Sequence, residues 1–401
     1  MKVLFATAAL SMALLGAAAC GGSGTDPGRG GSLLEDAGPS DSGAAPSEFP
    51  APARVALGAG HSCALDAEGT PYCWGSNPDG QLGDGTETIV RHEPAAVSDL
   101  TGVRGLAAGS YHSCALLDEG VACWGWNVGG QIGDGTTHNR LTPFHVEGLA
   151  GAVAVTTGSY HSCVLLADGS AQCWGQNDFG QLGNGSHDNF ARPTPVFALP
   201  KARALVGGGR HNCALIRDGS VQCWGGNDYG ELGAGTTEAH VFPEPVPGLT
   251  GAIAIAAGFN HSCALLADGS VACWGSNQYG QVGDGTTHDR LSPVAVPGIS
   301  GATAMASGYN HSCVLVDGGQ ARCWGWNAAG QLGNGTADPT LSPTRVVDLS
   351  GASQLAGGGF HTCAIAQGAT IFCWGSNDSG QLAAFEPEFQ SVPVPIHLPG
   401  L

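Results

Sequence analysis

Positive charge is scarce in this chain. Its 401 residues carry 14 Lys and Arg against 33 Asp and Glu, a formal net charge of −19, and no basic run occurs anywhere. Phosphate binding needs clustered cations, so nucleic acid is not an expected partner. Acidity of this degree serves solubility first. Charge of either sign is also thin, at 12% of residues, which disfavours a fold built on amphipathic helices. Beyond residue 20 no apolar stretch approaches the roughly 20 residues that a membrane-spanning helix requires. The Gly-x-Ser-x-Gly elbow, a phosphate-binding loop and His-Glu-x-x-His are all missing, and with them the usual short signatures of a hydrolase, a nucleotide-using enzyme or a zinc peptidase.

Glycine, by contrast, fills 67 positions, and there are 15 cysteines. At the N-terminus, Lys2 precedes an apolar stretch from Val3 to Ala19 that ends Ala17-Ala18-Ala19-Cys20. Residues 1–19 read as a signal peptide. Small residues directly before a cysteine resemble the lipobox of bacterial lipoproteins, and the resemblance implies that Cys20 is lipidated and becomes the mature N-terminus. Ordinary cleavage leaving Cys20 as a spare thiol is the alternative. Residues 20–50, rich in Gly, Ser, Pro and Asp, read as a flexible tether.

Residues 51–401 are organised by one recurring pattern: an apolar run, Gly, a variable pair, His-Ser-Cys, an apolar run, Asp-Gly, Cys-Trp-Gly-x-Asn, then Gly-Gln-Leu-Gly-Asp-Gly-Thr. Its histidines are His61, His112, His161, His211, His261, His311 and His361, spaced by 51, 49, 50, 50, 50 and 50 residues. A steady period of this size marks a propeller or an array. In the third copy Ala152–Val155 and Cys163–Leu166 are short apolar runs between turn residues, as expected of strands covered on both faces. The repeat, seen in His261-Ser262-Cys263-Ala264-Leu265, Cys273-Trp274-Gly275-Ser276-Asn277 and Gly280-Gln281-Val282-Gly283-Asp284-Gly285-Thr286, resembles that of the regulator of chromosome condensation family. The resemblance runs from about residue 53 to 401. It implies an all-β fold, a seven-bladed β-propeller of four-stranded blades whose ring closes by joining the two chain ends. On that reading a strand near Arg54–Leu57 and the run Val392–Leu398 complete one blade together. Ala383-Ala384-Phe385 replaces Gly-Asp-Gly in the seventh copy, so a remodelled outer loop is expected there.

Fourteen cysteines fall in pairs within repeats: Cys63 with Cys73, Cys114 with Cys123, Cys163 with Cys173, Cys213 with Cys223, Cys263 with Cys273, Cys313 with Cys323, and Cys363 with Cys373. A hairpin turning through Ala167-Asp168-Gly169 sets Cys163 opposite Cys173, within bridging distance at roughly 4.5–5.5 Å between Cα atoms. Seven disulfides are expected in an oxidising compartment. The second copy is one residue shorter, so its turn at Asp118-Glu119-Gly120 must tighten. His-x-Cys with a later Cys offers a zinc alternative, and turns such as Asp84-Gly85-Thr86 a calcium one. Both lack the converging ligand number that a site needs, so no metal and no cofactor is expected.

Seven equivalent histidines argue for scaffold, since an active site is a single asymmetric constellation, and no catalytic residue is assigned. Positions that differ between copies are where recognition can be written. One set precedes the histidine: Tyr111, Tyr160, Arg210, Phe259 with Asn260, Tyr309 with Asn310, and Phe360. A second follows Trp-Gly: Trp126, Phe179, Tyr229, Tyr279 and Trp326. If strand polarity repeats, each set rings an end of the propeller as candidate anchors, or else folds over the blade edges as packing. The outer connections Thr137–Arg140 and Thr287–Arg290 are a weaker candidate. The sequence therefore reads as a monomeric, exported, lipid-anchored binding scaffold of the bacterial envelope, touching the membrane only through its N-terminal lipid. Its partner is a protein, with a glycan as the lesser alternative. By family resemblance, inhibition of a secreted enzyme such as a β-lactamase and guanine-nucleotide exchange are the competing activities.

Overall fold

The structure, a computed structural model, describes Phe49 and residues 54–399. The expected signal segment, Cys20 and residues 20–48 of the expected tether lie outside the described residues. Among the described residues every regular element is a strand: twenty-eight of them form seven four-stranded antiparallel sheets, each sheet using four consecutive strands in order. The first blade is β1 (Val55–Leu57), β2 (His61–Leu65), β3 (Pro71–Ser76) and β4 (Val90–Ala96). The first strands of successive blades touch one another around the full circle, including first to seventh, so they line the axis. The fourth strands form the rim. Each rim strand carries proline, as at Pro94, Pro193 and Pro343, and a residue without an N–H blunts an edge that would otherwise pair with another chain.

The chain ends do not share a blade. Val55–Leu57 and Phe389–Ile396 belong to different sheets, the first and the seventh. The physical reason is phase: the chain enters at an innermost strand and leaves at a rim strand, so every sheet is complete from one contiguous segment. Closure is then a packing event. Val55, Leu57 and Trp74 bury against Ile371, Ile396 and Leu398, while the N–H of Gly359 donates to the carbonyl of Gly58 at 3.0 Å.

The core lies between blades, not within them. Seven clusters occupy the seven interfaces, each centred on the tryptophan of Cys-Trp-Gly, and all seven of those indoles are fully buried. Both faces of each sheet are covered, which explains apolar runs without alternation. Hairpins set the cysteines. In the third blade Leu166 N–H donates to Ser170 O across Ala167-Asp168-Gly169, and counting back three pairs puts Cys163 and Cys173 at a non-hydrogen-bonded position, where strands approach most closely. All seven disulfides are formed, with Cα atoms 4.1 Å apart, closer than the sequence led one to expect. The shorter second copy keeps the pairing with a two-residue turn, Leu117 facing Gly120.

Two glycines in the third blade show why the motif tolerates nothing larger. A Cβ on Gly158 would lie 2.0 Å from Cε1 of His161, because the imidazole fills that space. Gly175 has φ near +108°, and its Cβ would strike the Tyr160 carbonyl at 2.7 Å.

Candidate functional site

The histidines build the ring. Each Nε2 reaches the residue after the histidine of the next blade: His61 to Ser113, His112 to Ser162, His211 to Ser262, His261 to Ser312 and His311 to Thr362, all at 2.8–2.9 Å. His161 meets Asn212 at 3.1 Å, and His361 returns to Ser62 at 2.9 Å, closing the circle. Each of these hydroxyls donates its one proton to a carbonyl of the previous blade, as Ser162 does to Gln131 and Ser62 to Gln381, both at 2.9 Å. It therefore accepts from histidine, which fixes the Nε2–H tautomer. The same Gln131 and Gln381 carbonyls also accept the indole N–H of Trp174 and Trp74. Nδ1 of all seven histidines is buried without a hydrogen-bond partner. Burial drives the imidazoles down to about 3, His161 to about 4, so they are neutral. These side chains are sealed scaffold with no exposed functional atom.

The Asn of Cys-Trp-Gly-x-Asn staples the next loop. Asn277 Oδ1 accepts from Val282 N–H at 2.9 Å, and its amide donates to the carbonyls of Thr286 and His288. The Asp-Gly-Thr carboxylates are occupied internally: Asp284 accepts from Thr286 and pairs with Arg290, and Asp134 does the same with Thr136 and Arg140. In the seventh blade the loop is remodelled. Asn377 holds the carbonyls of Ala384 and Pro387 instead, and Phe385 stacks on His92 of the first blade with centroids 4.4 Å apart.

Strand alternation places the loop before each histidine and the loop after each Trp-Gly at the same end of the barrel, so the two variable sets share one surface; the Asp-Gly hairpins lie at the other end. Contacts between the sets confirm it. Trp126 meets Tyr111 at 6.3 Å and Tyr160 at 5.1 Å, edge to face. Trp326 likewise joins Phe360 at 4.9 Å and Tyr279 at 6.2 Å. In the fourth blade Arg210 stacks over Phe179, its guanidinium carbon 4.4 Å from the ring centroid. The candidates thus form three neighbourhoods, Tyr111, Trp126 and Tyr160; Phe179 and Arg210; and Phe259, Tyr279, Tyr309, Trp326 and Phe360, with Tyr229 in none of them.

They are not equivalent. Tyr279 is 44% exposed, while Tyr309 is only 2% exposed, packed among Ala59, Phe259 and Phe360 at the mouth of the axis. Burial raises the Tyr309 phenol far above its ordinary value, and the hydroxyls of Tyr111 and Tyr160, whose own rings lie 6.4 Å apart, act in the same direction. Tyr309 is a plug in that mouth, not an exposed anchor. Trp126, Tyr160, Phe179, Tyr229, Trp326 and Phe360 are half-buried, with part of each ring open at the surface.

Three residues of this end escaped the sequence reading. Val128, 60% exposed, extends the patch beside Trp126. Asp79 lies in the position equivalent to Phe179; partial burial raises its carboxyl, offset in part by a hydrogen bond from Asn139 at 3.2 Å. Glu231 replaces the glutamine that occupies this position in the other six copies, is 2% exposed, and is pushed up to about 7 by burial. A blade-by-blade alignment of the Gly-Gln-Leu-Gly motif alone would have singled out Glu231.

Comparison with known proteins agrees with the geometry. A family profile described as RCC1-like domain matches residues 53–299, and profiles of the regulator of chromosome condensation (RCC1) repeat match 319–365, 302–331 and 352–381. Among solved structures, Prp20p from Saccharomyces cerevisiae, described with its binding to Gsp1p and histones, superposes with a TM-score of 0.73 at 24% identity, covering 82% of this chain and 86% of that one. Human WBSCR16 gives 0.74 at 20% identity over 82% and 94%. A 64-residue stretch is 44% identical to the human E3 ubiquitin-protein ligase HERC2, which is 16% of this chain and 1% of that protein. The structural likenesses establish the fold alone, and the chain spans a small fraction of the ligase.

Proposed function

The chain belongs to the RCC1-like domain family, and from that premise we propose that it is a non-catalytic binding scaffold, exported and lipid-anchored at the bacterial envelope, that recognises another protein through its aromatic end. The observation that carries this reading is the convergence of both variable sets on one end of a ring whose repeated residues are consumed by structure. Half-buried aromatics such as Trp126, Tyr160 and Trp326, held by a rigid frame, are the residue type that anchors protein interfaces. Export is supported by seven buried disulfides, a pattern of oxidising compartments. Polarity fits as well. Arg54 leads into β1 at the end opposite the aromatics, and Phe49 packs against the apolar cluster between the third and fourth blades. A lipid on Cys20 would hold this far end and leave the aromatic end facing outward.

The test uses the full chain on intact cells. Crosslinking should capture a discrete partner with the wild type and lose it with the Trp126→Ala, Tyr160→Ala, Trp326→Ala variant, whose urea midpoint stays close to wild type. Capture that survives in the variant overturns the reading. Intact mass of the purified protein should show acyl mass at Cys20 and fourteen cysteines blocked until reduction; an unprocessed N-terminus with free thiols would sink export.

A further inference from the structure

Resting on the reading of the aromatic end as a protein-binding surface, we infer that the partner presents a cationic segment to it, laying Arg or Lys side chains over the rings. The surface already holds one such contact of its own: exposed Arg210 lies with its guanidinium 4.4 Å above Phe179. A cation over an aromatic face is attracted by the ring quadrupole, and more so where carboxylates stand near.

Carboxylates stand there in series. The fourth residue after the motif tryptophan is exposed in every blade, and it is Asp178, Asp228 and Asp378 in the third, fourth and seventh. In the first blade the next residue along, half-buried Asp79, supplies the acid, and its charge adds to burial, the largest cause, and to Tyr160 in raising the Tyr111 phenol. The arginines at the starts of the rim strands do not balance them. Arg91, Arg140 and Arg290 are each held by the carboxylate of their own loop, Asp84, Asp134 and Asp284, at 3.1, 2.7 and 2.5 Å. Against Asp79, Asp178, Asp228 and Asp378 stands Arg210, exposed and over Phe179, so the balance among these residues is negative, in a chain of net −19. A half-buried carboxylate such as Asp79 gains more from an arriving cation than a fully hydrated one does, because less water screens the pair. Rings to stack on and acid beside them select a guanidinium or ammonium side chain over an acidic or purely apolar contact.

The experiment titrates the full-length protein at 0.15 M salt with a fluorescein-labelled peptide alternating Gly and Arg, and with its Gly-Glu counterpart. The Arg peptide should bind and the Glu peptide should not. Asp79→Asn and Trp126→Ala should each weaken binding by about threefold or more, whereas Glu244→Gln, an exposed rim-strand change, should leave it unaltered. Binding of both peptides, binding of neither, or equal loss with Glu244→Gln, which would mean attraction to overall charge only, overturns the inference. If a cell-surface partner is captured through Trp126 while the Arg peptide fails to bind, the cationic segment is wrong and the binding platform stands. If capture fails too, the platform falls with it.

Discussion

Nε2 of His361, in the last blade, lies 2.9 Å from Oγ of Ser62 in the first, the contact that His61 makes with Ser113 one blade on. The seam between the chain ends is therefore chemically the same as an interior interface, although no strand crosses it.

Ser62→Ala should cost about 1–3 kcal/mol, because it leaves the buried His361 N–H unpaired and removes one of two donors from the Gln381 carbonyl. Ser262→Ala, at an interior interface, should cost a similar amount. Urea unfolding of the two variants measures this, and a negligible effect for Ser62→Ala alone would mean that the seam is not closed in the same way.

Acid should unfold this propeller steeply. Each ring histidine titrates near 6.5 when unfolded and at about 3, or about 4 for His161, when folded. Below pH 6.5 the unfolded chain binds protons that the folded one refuses, so stability falls as pH falls and levels off only near the folded values. Seven such groups give a limiting slope of roughly 9 kcal/mol per pH unit. The urea midpoint should drop sharply between pH 7 and pH 5; a flat midpoint would contradict the neutral ring.

Glu231→Gln should stabilise the protein at neutral pH. Burial raises this carboxyl from 4.5 to about 7, so folding is favoured by protonation and the benefit is lost as pH rises through 7. Glutamine, present at this position in the other six copies, removes a cost of about 3 kcal/mol above pH 7 and changes little at pH 4.5. Paired unfolding curves at pH 8 and pH 4.5 decide it, and an equal effect at both would point to packing instead of charge.

Tyr309 and Tyr279 should separate structure from surface. Tyr309→Ala empties the buried plug and should cost about 3–5 kcal/mol, while Tyr279→Ala, at 44% exposure, should cost under about 1 kcal/mol. Thermal unfolding of both checks the assignment; similar losses would place Tyr279 in the core as well.

The sequence by itself determined the blade count, the strands, the disulfide pairing and the scaffold role of His-Ser-Cys and Cys-Trp-Gly. Those features depend on short-range spacing, and repetition states each of them seven times. A ten-residue hairpin can put Cys163 and Cys173 opposite each other in few ways, so local chemistry suffices. What crosses between blades was not legible. Six of the seven histidine bonds of the ring join residues about fifty positions apart and the seventh joins His361 to Ser62, 299 positions away, and the two variable sets meet only because antiparallel strands return both loops to the same end. Tyr309 and Tyr279 are both large aromatics in turns, yet one fills the axial mouth and the other faces solvent, since burial is set by the blades opposite and not by the residue's own neighbours in the chain. The manner of closure was likewise decided by tertiary structure: seven complete sheets can close without sharing a strand, through the same packing and hydrogen bonds that every other interface uses.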